Sequence, residues 1–192
     1  ICFYAKDTRS FSSPRHPTIQ KYSTAGVGQW NGGSAVVLQA TAWPIGYYPV
    51  LASDGAGGAI AGWHDGRSGT SQCWVQRLSS AGVQQFPAGG SATALPGGFL
   101  HFDPTIPVLG PSGEVYVFWS RRDGGQGMRS LTGQKFDTAG ARQWTDAGRD
   151  FTPFDTDVEG FMRASPVPCG SAGAIVVYKQ TPTGSVADTM FA

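Results

Sequence analysis

The chain has 192 residues, a net charge of +1 and only 14% charged residues, so nothing in its charge suggests nucleic acid or an anionic membrane as a partner. The sequence has no apolar run of about 18 residues, so no membrane-spanning helix is expected. Aromatic residues make up 12%, and 28 glycines accompany 13 prolines, as in a folded, turn-rich domain or part of a larger one. The chain opens on Ile1 without a charged segment and apolar run, so a signal peptide is expected to be absent or already removed.

The first predicted unit, residues 1–46, starts with a short strand at 1–5 and leads to a twelve-residue motif at 19–30. The motif contains Gln20, a lysine and a tyrosine, then a small polar turn with Ala-Gly, and it ends on Gln-Trp. Because glycine tolerates a positive φ, the Ala-Gly pair predicts a tight turn between two strands, the second starting at the Gln-aromatic pair.

The second predicted unit, residues 47–98, contains four strands. A Pro-Val strand and a Gly-rich turn precede an apolar strand that ends at Trp63. The motif then returns at 75–86, with Gln76 and an arginine in place of the lysine. Short β-branched and aromatic runs separated by Gly, Ser and Asp are typical of antiparallel strands.

The third predicted unit, residues 99–160, repeats this order with a strand ending at Trp119 and a motif led by Gln134. The fourth, residues 161–192, has a strand ending at Tyr178 but no motif. The first unit lacks the Pro-Val strand, so three, four, four and three strands are predicted. We therefore expect a segment of a larger protein, with unpaired strand edges at its two ends that need a polypeptide partner.

The three motif glutamines lie at positions 20, 76 and 134, at steps of 56 and 58 residues, which indicates an internal repeat. Four short antiparallel strands at this period match a β-propeller blade, and no segment has a helical period of 3.6. The predicted fold is all-β: one segment over 1–192, a β-propeller arc of about four antiparallel four-stranded blades, the first and last incomplete.

In order along the chain, the pattern of a unit is Pro-Val, Asp-Gly-x-Gly-Gly, Trp-x-Asp-x-Arg, Val-Gln-Arg-Leu, Ala-Gly and Gln-aromatic. This pattern resembles the repeats of large secreted bacterial proteins with sialidase-like or BNR-like β-propellers. The second unit carries the resemblance best. It implies a propeller fold and an extracellular or cell-envelope location, but no particular ligand. The Asp box of sialidases, Ser-x-Asp-x-Gly-x-x-Trp, has no match in the spacing of this sequence.

Two sets of repeated residues are predicted to be structural. The aromatic residue that ends the second strand of each unit is expected to pack between sheets, and the motif glutamine is expected to be a buried amide that holds adjacent backbone. These residues are Trp63, Trp119 and Tyr178, and Gln20, Gln76 and Gln134.

Asp65 and Arg67 follow the second strand and have counterparts at Asp7-Thr8-Arg9 and Arg122-Asp123. One hypothesis is a ring of Arg and Asp side chains around a ligand, as sialidases use arginines on a carboxylate. The other is structural, with Asp on turn amides and Arg bridging to the neighbouring blade. Recurrence favours the structural role, because a catalytic site needs unlike residues from different blades.

The one acidic cluster, Asp155, Asp157 and Glu159, resembles half of a calcium loop, in which alternating oxygens point at the ion. The distal Glu of the full loop is missing, so a solvated acidic loop is favoured and calcium is the weaker alternative. No other cofactor is predicted.

Other chemistry-bearing residues are scattered. The histidines lack metal-ligand spacing, and two glutamates make a paired-Glu glycosidase site improbable, although three aspartates remain possible acids. Exposed aromatic residues form either a sugar- or peptide-binding platform or core. The cysteines are expected to be half-buried strand residues, with one disulfide and one free thiol as the alternative. These residues are His16, His64 and His101; Glu114 and Glu159; Asp103, Asp123 and Asp155; Trp43, Tyr47, Tyr48 and Phe99; and Cys2, Cys73 and Cys169.

The leading functional hypothesis is a non-catalytic propeller module, a scaffold or binding segment of a larger extracellular or envelope assembly. Its partners are other polypeptide chains or the remainder of a larger protein, with carbohydrate as a further possibility. One alternative is a fragment of a sialidase-like or other propeller glycoside hydrolase. Another is a calcium-stabilised adhesion module.

Overall fold

The computed structural model describes residues 1–6, 16–41, 46–155, 164–180 and 189–191, and it is all-β, as predicted. Helices within these ranges are two three-residue 3-10 turns, Asn31–Gly33 and Gly170–Ala172. Neither has the length or apolar character to cross a membrane.

Within the described residues, fifteen strands form four antiparallel sheets, and each sheet comes from one continuous stretch of the chain. The first sheet contains β1 (Cys2–Lys6), β2 (His16–Gln20) and β3 (Val36–Val37). The second contains β4 (Gly46–Ser53), β5 (Ala59–Asp65), β6 (Gln72–Leu78) and β7 (Ser91–Ala92). The third contains β8 (Leu100–Phe102), β9 (Val108–Leu109), β10 (Val115–Arg122), β11 (Arg129–Phe136) and β12 (Arg149–Asp150). The fourth contains β13 (Ala164–Pro168), β14 (Ala174–Gln180) and β15 (Thr189–Phe191).

Strands β5 and β10 begin with apolar runs, at 59–63 and 115–119, which fit strands whose sheets are covered on both faces. All seven residues of β5 are buried, and β10 is buried except at Arg121. Side chains alternate between the two faces, so Val115 and Val117 point towards the second sheet while Tyr116 and Phe118 point towards the fourth.

The third sheet has five strands where the sequence predicts four. Asp103 has a positive φ of 53°, and two prolines follow it, so the single strand seen as β4 in the second sheet is here divided into β8 and β9. Thr105 closes the gap: its backbone nitrogen donates to the Phe118 oxygen at 2.8 Å, and its hydroxyl accepts from the Phe118 nitrogen at 3.1 Å.

In each of the first three sheets the last strand is short and begins later than predicted. We expected it to start at the Gln-aromatic pair, but β3, β7 and β12 have two residues each and begin five or six residues beyond the motif aromatic. The motif glutamine accounts for the shift, because its side chain, rather than a strand ladder, accepts the backbone N–H of that aromatic.

The hydrophobic core lies between successive sheets, at places we call the first, second and third junctions. The first joins sheets one and two, and the second joins sheets two and three. The third joins sheets three and four and includes residues that are only half-buried. The buried residues are Ile19, Trp30, Leu38, Ala59, Ala61, Trp63 and Leu78 at the first; Ile60, Val75, Phe86, Val115, Val117 and Phe136, with Cys73, Ala94 and Trp119, at the second; and Val108, Tyr116, Phe118 and Leu131 at the third.

Candidate functional site

The motif glutamines are buried and make the same hydrogen bonds in three sheets. Gln76 Oε1 accepts from the backbone nitrogens of Arg77 and Phe86, both at 2.9 Å, and its Nε2 donates to the Pro87 oxygen at 3.0 Å. Gln20 binds Lys21, Trp30 and Ser34 in the same way, and Gln134 binds Lys135, Trp144 and Thr145. Each amide therefore fixes the chain on both sides of the Ala-Gly turn and has no group directed at a ligand.

The aromatic residues of the first and second motifs pack on the Ala-Gly turn of the next sheet. Gly82 has a φ of 81°, and a Cβ there would lie 2.5 Å from Trp30 Cγ. The Trp30 indole also donates to the Ser80 oxygen at 2.8 Å. At the second junction a Cβ on Gly140 would lie 2.5 Å from Phe86 Cγ. Glycine is required at both turns, for its positive φ and for this close contact.

The motif cation makes a second contact to the next sheet. Lys21 donates to the Gly57 oxygen at 2.8 Å, and Arg77 donates to the Gly113 oxygen at 3.1 Å. Both carbonyls lie in the turn before the central strand of the following sheet. Lys135 instead lies 3.9 Å from Glu114 of its own sheet. The first and second junctions therefore share one joint, an aromatic ring on a glycine turn and a cation on a turn carbonyl.

The aromatic residues predicted to end the second strand of each unit occupy corresponding places within β5, β10 and β14, each of which continues beyond its aromatic residue. Trp63 is 2% exposed at the first junction and Trp119 is 0% exposed at the second. Tyr178 packs at the third junction and is half-buried.

Asp65 and Arg67 form a closed cluster within the second sheet. Asp65 accepts from the Trp63 indole at 2.9 Å and from Arg67 Nε at 2.9 Å. Arg67 also donates to the Gly89 oxygen at 2.7 Å, and its guanidinium stacks 3.8 Å from the centre of the Trp74 ring. Arg67 bonds within its own sheet, whereas the structural hypothesis placed it on a neighbouring blade. These groups already hold one another, which favours a structural role over ligand binding.

In the third sheet, Arg122 pairs with a different aspartate from the adjacent one that the sequence suggests. Arg122 is 6% exposed and pairs with Asp103 at 2.7 Å, and its guanidinium lies over the Phe102 ring at 4.8 Å. Asp123, its sequence neighbour, instead accepts from the Met128 nitrogen at 2.8 Å and stabilises a turn. The counterpart at residues 7–9 lies outside the described residues.

His64 and Cys73 are directly opposite each other on β5 and β6, and both are buried. Burial lowers the pKa of His64 to about 4, although nearby Asp103 and Asp65 act in the opposite direction. Burial likewise raises the pKa of the Cys73 thiol well above its usual range. A neutral imidazole beside a neutral thiol is not an activated nucleophile at neutral pH.

His101 belongs to the same polar region at the second junction. Its Nδ1 lies 2.8 Å from Gln72 Nε2, which also donates to the Ala94 oxygen at 2.9 Å. This amide orientation makes Nδ1 an acceptor. Burial, assisted by Arg121, lowers the pKa of His101 to about 4, so the ring is neutral at pH 7. Sequence reasoning missed Gln72, whose only signal was its position four residues before Gln76 on one face of β6.

The acidic cluster is only partly described. Asp155 pairs through its backbone with Arg129, whose nitrogen donates to the Asp155 oxygen at 3.0 Å. Asp157 and Glu159 lie outside the described residues. Within the described part of the chain, no three His, Cys, Asp or Glu side chains form a group suited to a metal ion. The calcium hypothesis thus remains a prediction from the sequence.

The predicted aromatic platform lies only partly within the described residues, whereas all three cysteines are described. Trp43 and the side chains of Tyr47 and Tyr48 lie outside the described residues. Phe99 packs edge-on against Phe154 at 5.2 Å, and Arg121 lies over both rings. The three cysteines are unpaired: Cys2 is exposed, Cys73 is buried and Cys169 is half-buried.

An apolar groove of about 490 Å³ opens at the third junction. The Trp144 ring forms part of its wall, with its centre 6.1 Å from the Tyr116 ring and 5.7 Å from the Phe151 ring. A concave apolar wall of this kind can bind a large apolar side chain. The lining residues are Tyr116, Phe118, Leu131, Trp144 and Phe151 from the third sheet side, and Gly173, Ala174, Ile175, Val176 and Tyr178 from the fourth.

In comparisons with known proteins, no family model matches the chain and no curated protein matches it.

Proposed function

We propose that this chain is an arc of a β-propeller that acts as a non-catalytic scaffold or binding module in a larger extracellular or envelope assembly. The observation that carries the proposal is the joint shared by the first and second junctions. Trp30 and Phe86 each pack on the glycine turn of the next sheet, and Lys21 and Arg77 each bind its turn carbonyl. When the same contact is repeated between similar sheets, each sheet has the same orientation relative to the next. This is the organisation of propellers and other repeat proteins.

The state of the polar residues supports a non-catalytic role. Asp65 and Arg67 hold each other, and Arg122 is paired with Asp103. His64 and His101 are buried and have pKa values of about 4, too low for a general base that works near neutral pH. In the described residues, the candidate acids and bases are thus used to stabilise sheets.

A hydrolase screen tests this proposal. We expect no turnover of a panel of aryl glycosides that includes sialosides, with the Asp103→Asn variant as the matched control. Turnover by the wild-type chain that Asp103→Asn abolishes would support the glycosidase alternative and overturn the scaffold role.

A crystal structure tests the propeller arrangement. We expect it to show the sheets radiating about a common axis, with the same rotation between sheets one and two as between two and three. Sheets stacked along a straight line would contradict the arc while leaving the screen's result valid.

A further inference from the structure

One wall of the apolar groove at the third junction contains Trp144, which corresponds to the motif aromatics of the first and second junctions. Trp144 follows Gln134 by ten residues, as Trp30 follows Gln20 and Phe86 follows Gln76. Trp30 and Phe86 are 1% and 4% exposed because each is covered by a glycine turn. Trp144 is only half-buried, and its neighbours on the groove wall are rings of its own sheet.

The opposite wall is formed by β14. Ala174 and Val176 correspond to Val115 and Val117 of the third sheet, counted back from Tyr178 and Trp119. The two valines are fully buried, whereas Ala174 and Val176 are half-buried. The groove is therefore bounded on both sides by residues whose counterparts are covered at the other junctions.

The second and third sheets show which residue covers the positions that correspond to Ala174. Leu78 lies opposite Ala59 and Phe136 lies opposite Val115 in their sheets, and both large side chains are fully buried beside the motif aromatic. In the described part of the chain, β15 pairs with β14 only over residues 178–180. On the side of β14 that faces away from β13, residues 174–177 therefore have no described strand beside them, whereas on the other side Pro168 of β13 lies opposite Ala174.

We propose that this groove and strand edge bind an extended polypeptide segment with the pattern of the chain's own motif: Gln, a cation, a large apolar residue, three small residues and glycine. The strand would pair antiparallel with residues 174–177, and its large apolar residue would enter the groove opposite Ala174. Its glycine turn would cover Trp144, whose indole would donate to the carbonyl two residues before the glycine, as Trp30 does to Ser80. This inference rests on the proposed function, because it treats the third junction as the same joint as the other two.

A synthetic peptide with the sequence of residues 75–86 is a suitable probe, since it contains Leu78 and Gly82 but neither tryptophan nor cysteine. We expect a fluorescein-labelled peptide to show saturable binding by anisotropy with a Kd below about 1 mM. The matched control is the same peptide with Gly82→Val, which we expect to bind at least about tenfold more weakly because a side chain there meets the aromatic ring.

Protein variants locate the binding site. Trp144→Ala and Val176→Asp should each weaken peptide binding at least about tenfold. The matched control is Val27→Ser, at an exposed residue of the turn between β2 and β3 that should leave binding unchanged. Circular dichroism checks the folding of each variant, and Val176→Asp serves if Trp144→Ala does not fold.

Three results would overturn the inference: no binding at 1 mM peptide, equal binding of the Gly82→Val peptide, or binding unaffected by both groove variants. The outcome of the peptide-binding experiments can be distinguished from the outcome of the hydrolase screen. Peptide binding can fail while the chain shows no turnover, which rejects only this partner. Turnover that depends on Asp103 rejects the scaffold role even if the peptide binds.

Discussion

The second and third junctions are built from residues at the same positions of the pattern, but only the second is closed. There, Phe86 meets the glycine turn and Phe136 fills the space beside it. At the third, Trp144 has no described turn against it, and a groove takes the place of the large side chain. This difference shows that the aromatic residue alone does not complete a joint. A turn and a strand residue from the next sheet are needed as well.

This difference has an energetic consequence. Fully burying a Val or Phe side chain stabilises a protein by about 1.5–3 kcal/mol, and the second junction has several such residues. At the third junction Ala174, Val176 and Tyr178 are half-buried, so they contribute less. We expect the fourth sheet to open before the others.

The largest difference is expected for the central-strand aromatics. Trp119→Ala should lower the free energy of unfolding by about 3–5 kcal/mol, because it leaves a cavity at the second junction. Tyr178→Ala should cost only about 1–2 kcal/mol, because its ring is half-buried. Urea denaturation of both variants measures the difference. Equal losses would show that the third junction is as tightly closed as the second.

The glycine turns give the next comparison. Gly82→Ala should cost about 2–5 kcal/mol, since alanine is strained at a φ of 81° and its Cβ would overlap the Trp30 ring. Gly26 has nearly the same φ, 77°, but a Cβ there meets nothing within 4 Å.

Gly26→Ala is therefore the matched control, with the backbone strain alone at about 1–2 kcal/mol. Thermal or urea unfolding measures both variants. Equal costs would show that the aromatic contact does not contribute to the joint.

Acid should destabilise the second junction through its buried histidines. The unfolded imidazole takes up a proton near pH 6.5, whereas the folded pKa values of His64 and His101 are about 4. Stability is therefore complete above pH 6.5 and is lost as the pH falls towards 4, by about 3 kcal/mol for each histidine.

The check is the free energy of unfolding between pH 8 and 4, compared with a His64→Asn variant. The variant should lose one histidine's share of the pH dependence. His16→Asn is the control, since His16 is only half-buried. An unchanged profile for His64→Asn would show that this imidazole is not held neutral by folding.

Much of the fold follows from local sequence. The run Val115–Trp119 is apolar and β-branched or aromatic, so it predicts a buried central strand, and the three motifs predict where hairpins turn. Asp103-Pro104 and Pro107 are also a sequence signal for the division of β8 from β9, because proline interrupts a strand. The radial arrangement of sheets remains a proposal, because local patterns do not specify the angle between sheets.

The polar contacts were harder to predict from the sequence than the strands. Arg122 pairs with Asp103, nineteen residues away, rather than with the adjacent Asp123. The contact between Gln72 and His101 spans twenty-nine residues. Such partners are chosen by the packing of one sheet on another, which a single sequence does not show. The groove was missed for the same reason: its walls are strands from two sheets.

The smallest effect is expected for the motif cations. Arg77 reaches the next sheet and donates to the Gly113 oxygen at 3.1 Å, with its side chain 19% exposed. Arg77→Met keeps much of the aliphatic stem but removes this bond, and should cost about 1–2 kcal/mol. Lys135 lies 3.9 Å from Glu114 in its own sheet and is 33% exposed, so Lys135→Met should change stability by no more than about 0.5 kcal/mol. Urea denaturation at low and high salt measures both. A larger loss for Lys135→Met would mean that its cation takes part in closing the third junction, and the comparison of open and closed joints would fail at that contact.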